Sequence, residues 1–96
     1  MKLELEQQVL DFVRTLAPEP RRALREALKK LMQEKGDIRA LEGELEGFYR
    51  LRVGRYRVIF SYRLERRMRQ IRCLYAAHRT LIYEVFAQQL HELLHP

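Results

Sequence analysis

From Tyr49 to Val58 the chain alternates apolar and basic residues with a period of two, and the alternation is interrupted at Gly54-Arg55. That is the signature of an antiparallel hairpin with a two-residue turn. Tyr49, Leu51 and Val53 alternate with Arg50 and Arg52, and Tyr56 to Tyr62 forms the return strand. With Gly54 and Arg55 at the turn, Val53 pairs with Tyr56, Arg52 with Arg57, Leu51 with Val58 and Arg50 with Ile59. Because side chains alternate between faces, Arg50, Arg52 and Arg57 share one face, and the directly opposed Arg52 and Arg57 have Cβ atoms roughly 4.5 to 5.5 Å apart. Tyr49, Leu51, Val53, Tyr56, Val58 and Phe60 take the other face. One side is core and the other is cationic.

The charge of the chain is concentrated around this hairpin. Between Arg50 and Arg79 stand ten arginines, no lysine and one acid, Glu65, a formal charge of +9. Residues 1–49 carry nine basic and ten acidic side chains, and residues 80–96 carry only Glu84 and Glu92, so the net +6 arises from this one segment. Like charges opposed across a sheet destabilise it by up to about 1 kcal/mol per pair, a cost that an anionic partner removes. Arginine alone suits phosphate, because its planar fork makes bidentate hydrogen bonds and stays charged, whereas lysine offers a point charge. The other reading is a solvated strand face that guards against aggregation. That reading accounts for charge but not for the exclusive use of arginine, so RNA or DNA is the expected partner.

The flanking sequence is helical. After a short strand at Lys2–Leu5, the residues Val9, Leu10, Phe12, Val13 and Leu16 cluster with helical spacing until Pro18 and Pro20 interrupt them. Pro20 suits the first turn of a second helix. Its stripe is Ala23, Leu24, Ala27, Leu28, Leu31 and Met32, and Gly36 ends it. Asp37–Gly47 reads as a connector, compatible with a turn of helix around Ile38–Leu41. A turn near Leu64–Arg67 leads to a third strand at Arg69–Ala77, and Ile82–Leu94 is helical. The pattern predicts an α+β domain over residues 1–96: an N-terminal helical hairpin packed on one face of a twisted antiparallel sheet of three to four strands, with a C-terminal helix. No run of about 18 apolar residues exists, and the amino terminus lacks the basic-then-apolar order of a secretory signal, so a cytoplasmic protein with no membrane contact is expected. Cys73, the single cysteine, excludes an internal disulfide and a cysteine-cluster metal site, and its strand context marks it as a small core residue.

Leu41-Glu42-Gly43-Glu44-Leu45-Glu46-Gly47 leads into Phe48-Tyr49-Arg50-Leu51-Arg52-Val53 and the return Gly54-Arg55-Tyr56-Arg57-Val58; His78-Arg79-Thr80-Leu81-Ile82-Tyr83 follows the third strand. In order and spacing these segments resemble the RelE/ParE superfamily of bacterial type II toxins. The resemblance implies a metal-independent, ribosome-dependent mRNA endonuclease that needs no cofactor and is held silent by an acidic antitoxin, with operator DNA reached through the toxin–antitoxin complex. It also implies the chemistry: the RNA 2′-hydroxyl attacks the adjacent phosphate and leaves a 2′,3′-cyclic phosphate. On this pattern Arg57 grips the scissile phosphate and Arg79 faces the leaving oxygen. Tyr83 stacks on a base or helps activate the 2′-hydroxyl. Arg50 and Arg52 stand at two basic positions that are lysines in the best-known member, where arginine retains charge stabilisation but not proton transfer. His78 supplies an imidazole for proton transfer or a structural group at the strand end. Arg50, Arg52, Arg55, Arg57, Arg72 and Arg79 form the implied RNA-binding set. Glu44 and Glu46 lie where some relatives carry a carboxylate base, in what reads here as a solvated loop. His91 and His95, four apart on the last helix, lack a third metal ligand. The alternative within the superfamily is a ParE-like inhibitor of DNA gyrase without nuclease activity.

Overall fold

The two-residue turn sets the register that the alternation requires. In the computed structural model, which describes residues 1–95, Val53 pairs with Tyr56, Arg52 with Arg57, Leu51 with Val58 and Arg50 with Ile59. Of the two turn residues only Gly54 takes a positive φ, 58°, as in a type II′ turn, whose twist matches that of the flanking strands. In chain order the elements are β1 (Lys2–Leu5), α1 (Gln7–Thr15), α2 (Pro18–Leu31), β2 (Asp37–Ala40), a short 3-10 turn (Gly43–Leu45), β3 (Tyr49–Val53), β4 (Tyr56–Glu65), β5 (Met68–His78) and α3 (Ile82–Leu94).

The sheet has five strands in the order β1-β5-β4-β3-β2, and β1 runs parallel to β5 while the other neighbours are antiparallel. This corrects the expected three to four antiparallel strands. The segment read as a connector with a turn of helix is the strand β2. A single helical turn fixes several dihedrals for very few hydrogen bonds. Pairing with β3 instead satisfies the backbone and sets Ile38 opposite Leu51, against the core.

Helices cover both faces, not one. Val9 and Val13 of α1 and Leu24, Leu28 and Leu31 of α2 pack on Leu51, Val58, Phe60, Ile71, Cys73 and Ala76. Pro18 and Pro20 sit in the first turn of α2, where a missing N–H leaves no bond unmade. Arg21 ties the two helices together by donating from Nη2 to the Leu16 carbonyl at 2.8 Å. On the opposite face Ile82 and Phe86 of α3 pack on Ile59 and Leu45. The second layer is helped by a bulge. Ile59 pairs with Tyr75 and Phe60 with Cys73, which leaves Leu74 as the extra residue and turns both Leu74 and Tyr75 toward α3. Among the described residues no helix is long and apolar enough to cross a membrane.

The outer edge of β5 is sealed by an unusual device. β1 ends at Leu5, and beyond it the Gln8 side chain takes over as a strand would: its Nε2 donates to the Ala76 carbonyl at 2.7 Å and its Oε1 accepts from the Ala76 N–H at 2.8 Å. Burial pushes the nearby Cys73 thiol up to about 12, consistent with a core residue and not a nucleophile. At the other end of β4, Arg66 and Arg67 form the β4–β5 turn with φ of 51° and 65°, a left-handed pair that costs on the order of 1–2 kcal/mol per non-glycine residue.

Gly36 illustrates how tightly β2 is set. Its φ is 133°, and a Cβ there would lie 2.9 Å from Leu51 Cδ1, a core side chain. Gly36→Ala should therefore lower stability by roughly 1–3 kcal/mol, read as a drop in the urea midpoint with an unchanged slope.

Candidate functional site

Register carries the side chains of four strands into two rows on the face that α3 shares. Across the sheet one row reads Asp37, Arg52, Arg57 and Ala77, and the next reads Arg39, Arg50, Ile59 and Tyr75. Arg50, Arg52 and Arg57 thus share a face, as the alternation predicts. Sequence reasoning missed Asp37 and Arg39, which join them from β2. The signal was present in the alternation of Asp37-Ile38-Arg39, hidden by the glycines that follow.

Asp37 resolves the crowding of like charge. Arg50 Nη1 donates to the Asp37 carbonyl at 2.9 Å and to Oδ1 at 3.1 Å, while Arg52 Nε lies 2.6 Å from Oδ2. Arg50 is only 8% exposed, and a guanidinium so covered requires a partner. The hydrogen bond from Arg50 holds the Asp37 carboxyl below its usual 3.8 against the opposing effect of desolvation, and the charges of Arg52 and Arg50 add to the depression. Two of the three arginines are therefore fixed in place and partly neutralised.

Arg57 is held differently. One nitrogen, Nη1, donates to the carbonyls of Gly54 and Tyr56, both at 2.9 Å, which folds the guanidinium over its own turn. Among the described residues no carboxylate comes within ion-pair distance of Arg57, Arg55 or Arg79. Arg79 is drawn to the same end, because its N–H donates to the Arg55 carbonyl at 2.7 Å. Tyr83, on the first turn of α3, lines an open cavity of about 640 Å³ together with Arg39, Glu42, Leu45 and Arg50. The fold therefore gathers Arg39, Arg50, Arg52, Arg57 and Tyr83 on one side, with Arg55 and Arg79 at its upper end.

Two other residues from the sequence pattern are not brought together with these. His78 pairs with Tyr56 across β4 and β5 and so faces α1, its ring edge-on to Tyr56 with centroids 6.2 Å apart. Its Nδ1 lies 3.0 Å from Thr80 Oγ1 and 3.3 Å from the Thr80 backbone nitrogen. Arg72 is matched inside the molecule. Its Nε donates to Glu6 at 2.7 Å, its Nη1 lies 3.0 Å from Glu4, and the Glu6 bond raises its pKa further. Glu44 and Glu46 are exposed beside the 3-10 turn. His91 and His95 lie 4.6 Å apart by ring centroid, and among the described residues no three potential metal ligands converge.

No family model matches the sequence, and no curated protein matches it. Solved structures do. A YoeB/ParE toxin from Agrobacterium tumefaciens superposes with a TM-score of 0.64 at 12% identity, over 81% of this chain and 98% of its own. An archaeal RelE–RelB complex from Pyrococcus horikoshii OT3 gives 0.61 at 28% identity, over 81% and 93% of the two chains. A RelB–RelE antitoxin–toxin complex from Methanococcus jannaschii gives 0.60 at 19% identity, over 86% and 98%.

The Asp37 clamp has a defined pH signature. A carboxyl depressed in the folded state adds stability that is fully present above its unfolded value, near 3.8, and is lost as pH falls through the lower folded value. Asp37→Asn should lower the denaturation midpoint at pH 7, and the gap from wild type should close as the pH is taken below 3.8.

Proposed function

Since the chain belongs to the RelE/ParE superfamily, we propose that it is the toxin of a type II toxin–antitoxin pair and a RelE-like, metal-independent endonuclease that cleaves mRNA on the ribosome. The observation that carries this reading is Arg57, a guanidinium that shares a face with the Asp37-held Arg50 and Arg52, of which Arg50 lines the cavity with Tyr83, and that has no carboxylate of its own among the described residues. A phosphodiester supplies the missing anion.

In this reading the 2′-oxygen of the message attacks the adjacent phosphorus, the bond from phosphorus to the 5′-oxygen breaks, and the products are a 2′,3′-cyclic phosphate and a 5′-hydroxyl. Arg57 donates to the non-bridging oxygens, where charge develops. Arg50 and Arg52, preset by Asp37, add positive potential without having to reorganise, the condition under which electrostatic stabilisation is most effective. Arg79 serves the leaving oxygen. Tyr83 stacks on a neighbouring base or hydrogen-bonds the 2′-hydroxyl. His78 faces α1 and receives no proton-transfer role here, and Arg72 is left out because Glu4 and Glu6 already neutralise it.

The partner that silences this site is an acidic antitoxin, a reading supported by similarity to toxins solved in complex with RelB. Its carboxylates meet the arginine face. An apolar groove of about 460 Å³ between α3 and β5, lined by Phe48, Leu74, Tyr75, Phe86, Leu90 and Leu93, receives its hydrophobic side chains. Operator DNA is reached through that complex.

With programmed ribosomes and a labelled message, Arg57→Ala should cut about 10²- to 10³-fold more slowly than wild type. Unchanged cleavage by the variant would remove Arg57 from the site. Absence of cleavage by wild type, together with blocked supercoiling, would point to the gyrase-inhibiting branch. Replacing Arg50, Arg52 and Arg57 together with alanine should also weaken binding of the antitoxin's acidic segment at low salt, as titration calorimetry would show.

A further inference from the structure

Every phenylalanine and tyrosine of the chain packs in one of the two core clusters, with the exception of Tyr83. Its ring is 36% exposed, has no aromatic neighbour among the described residues, and lines the cavity of about 640 Å³ at the start of α3. Leu41 and Leu45, which belong to the core on the α3 side, add apolar surface to the same cavity. A free ring beside apolar side chains, in a cavity of this size, is a seat for a flat heteroaromatic group.

Two charged residues of the cavity are without partners. Arg39 lies directly opposite Arg50, yet the Asp37 carboxylate goes to Arg50 and Arg52 and not to it. Arg39 and Glu42 are both exposed, and among the described residues no ion pair reaches either. A guanidinium and a carboxylate that line one cavity without bridging each other suit a ligand with one acceptor edge and one donor edge. Guanine has both. Its N1–H and N2–H₂ lie side by side and match the two oxygens of a carboxylate, while O6 and N7 match the fork of an arginine. Adenine and cytosine offer one exocyclic amino group, and uracil one N–H between two acceptors, so none of them presents that pair of neighbouring donors.

The cavity is also correctly placed for a base. Arg39 and Arg50 lie one row from Arg52 and Arg57, about 7 Å along the strands, a distance that one extended nucleotide spans. Arg55 and Arg79 stand at the other end, beyond Arg57. We propose that the cavity is a guanine subsite, in which Tyr83 stacks on the base, Glu42 accepts from N1–H and N2–H₂, and Arg39 donates to O6 and N7. The proposal rests on the nuclease reading for the order of base and phosphate. It identifies the nucleotide that carries the attacking 2′-hydroxyl as guanosine, so the message is cut on the 3′ side of G.

Binding of 3′-mononucleotides to the free protein, without ribosomes, tests the subsite apart from cleavage. By titration calorimetry wild type should bind guanosine 3′-monophosphate about ten-fold more tightly than the adenosine, cytidine and uridine equivalents, within the discrimination of bidentate base contacts. Glu42→Gln, an exposed change whose melting temperature verifies folding, should bring the four affinities to within about three-fold of one another. Arg39→Ala should weaken the guanosine nucleotide alone. Arg57→Ala should weaken all four alike, because the phosphate is common to them. Equal affinities in wild type, preference for another base, or a guanine preference untouched by both Glu42→Gln and Arg39→Ala would overturn the proposal. So would cuts on programmed ribosomes that fall without regard to guanosine. A guanine preference in binding with no cleavage on ribosomes would count against the nuclease reading and leave the subsite standing.

Discussion

The Arg52–Arg57 pairing is the constraint on which the rest of the molecule depends. A strand has two faces, and a slip of one residue would exchange them, sending Leu51 and Val58 into water and Arg50, Arg52 and Arg57 into the core. The register is fixed twice, by the tight turn at Gly54 and by packing. Tyr49, Phe60 and Tyr62 form a ring cluster with centroids 5.0 to 5.7 Å apart on the core face, a close fit that tolerates only one alignment. What the hairpin then exposes on its other face is a concentration of like charge, and the edge strand β2 answers it by setting one carboxylate opposite Arg52.

Much of this architecture could be read from the chain because it depends on local patterns. The turn at Gly54-Arg55, the stripe from Leu24 to Leu31 and the prolines that separate the first two helices each announce themselves within a few residues. The same holds for Arg50, Arg52 and Arg57, whose common face follows from parity alone. What escaped depended on distant partners. Asp37–Ala40 is four residues long, too short for its alternation to stand out, and becomes a strand because β3 offers an edge. The packing of both Leu74 and Tyr75 against α3 depends on the extra residue at Leu74, a feature of pairing between strands that a single sequence does not display. His78 is instructive, since its neighbour Arg79 in the motif suggested proximity, whereas strand parity sends His78 toward Tyr56.

The basic segment also proved to be less uniform than its composition implied. Ten arginines in thirty residues suggested one site, but the strands distribute them. Arg50 and Arg52 share Asp37, Arg72 is held by Glu4 and Glu6, and Arg69 lies over Tyr62 within 3.8 Å of Glu34. Those left without carboxylates collect at the two ends of β4. Net charge determines that such a protein attracts polyanions, while internal pairing determines where on its surface the attraction is felt.

The parallel strand β1 has a consequence for how the chain is assembled. Lys2 to Leu5 pair with Gln70 to Cys73, and Gln8 bonds Ala76, so each of these residues finds its partner 68 positions further along the chain. The β3–β4 hairpin closes over a two-residue turn and can form early, whereas the amino-terminal edge must be held open across a gap of nearly seventy positions, the kind of separation that slows folding. Completion of the sheet is thus a late event, and until then the outer edge of β5 remains an unguarded template for other chains.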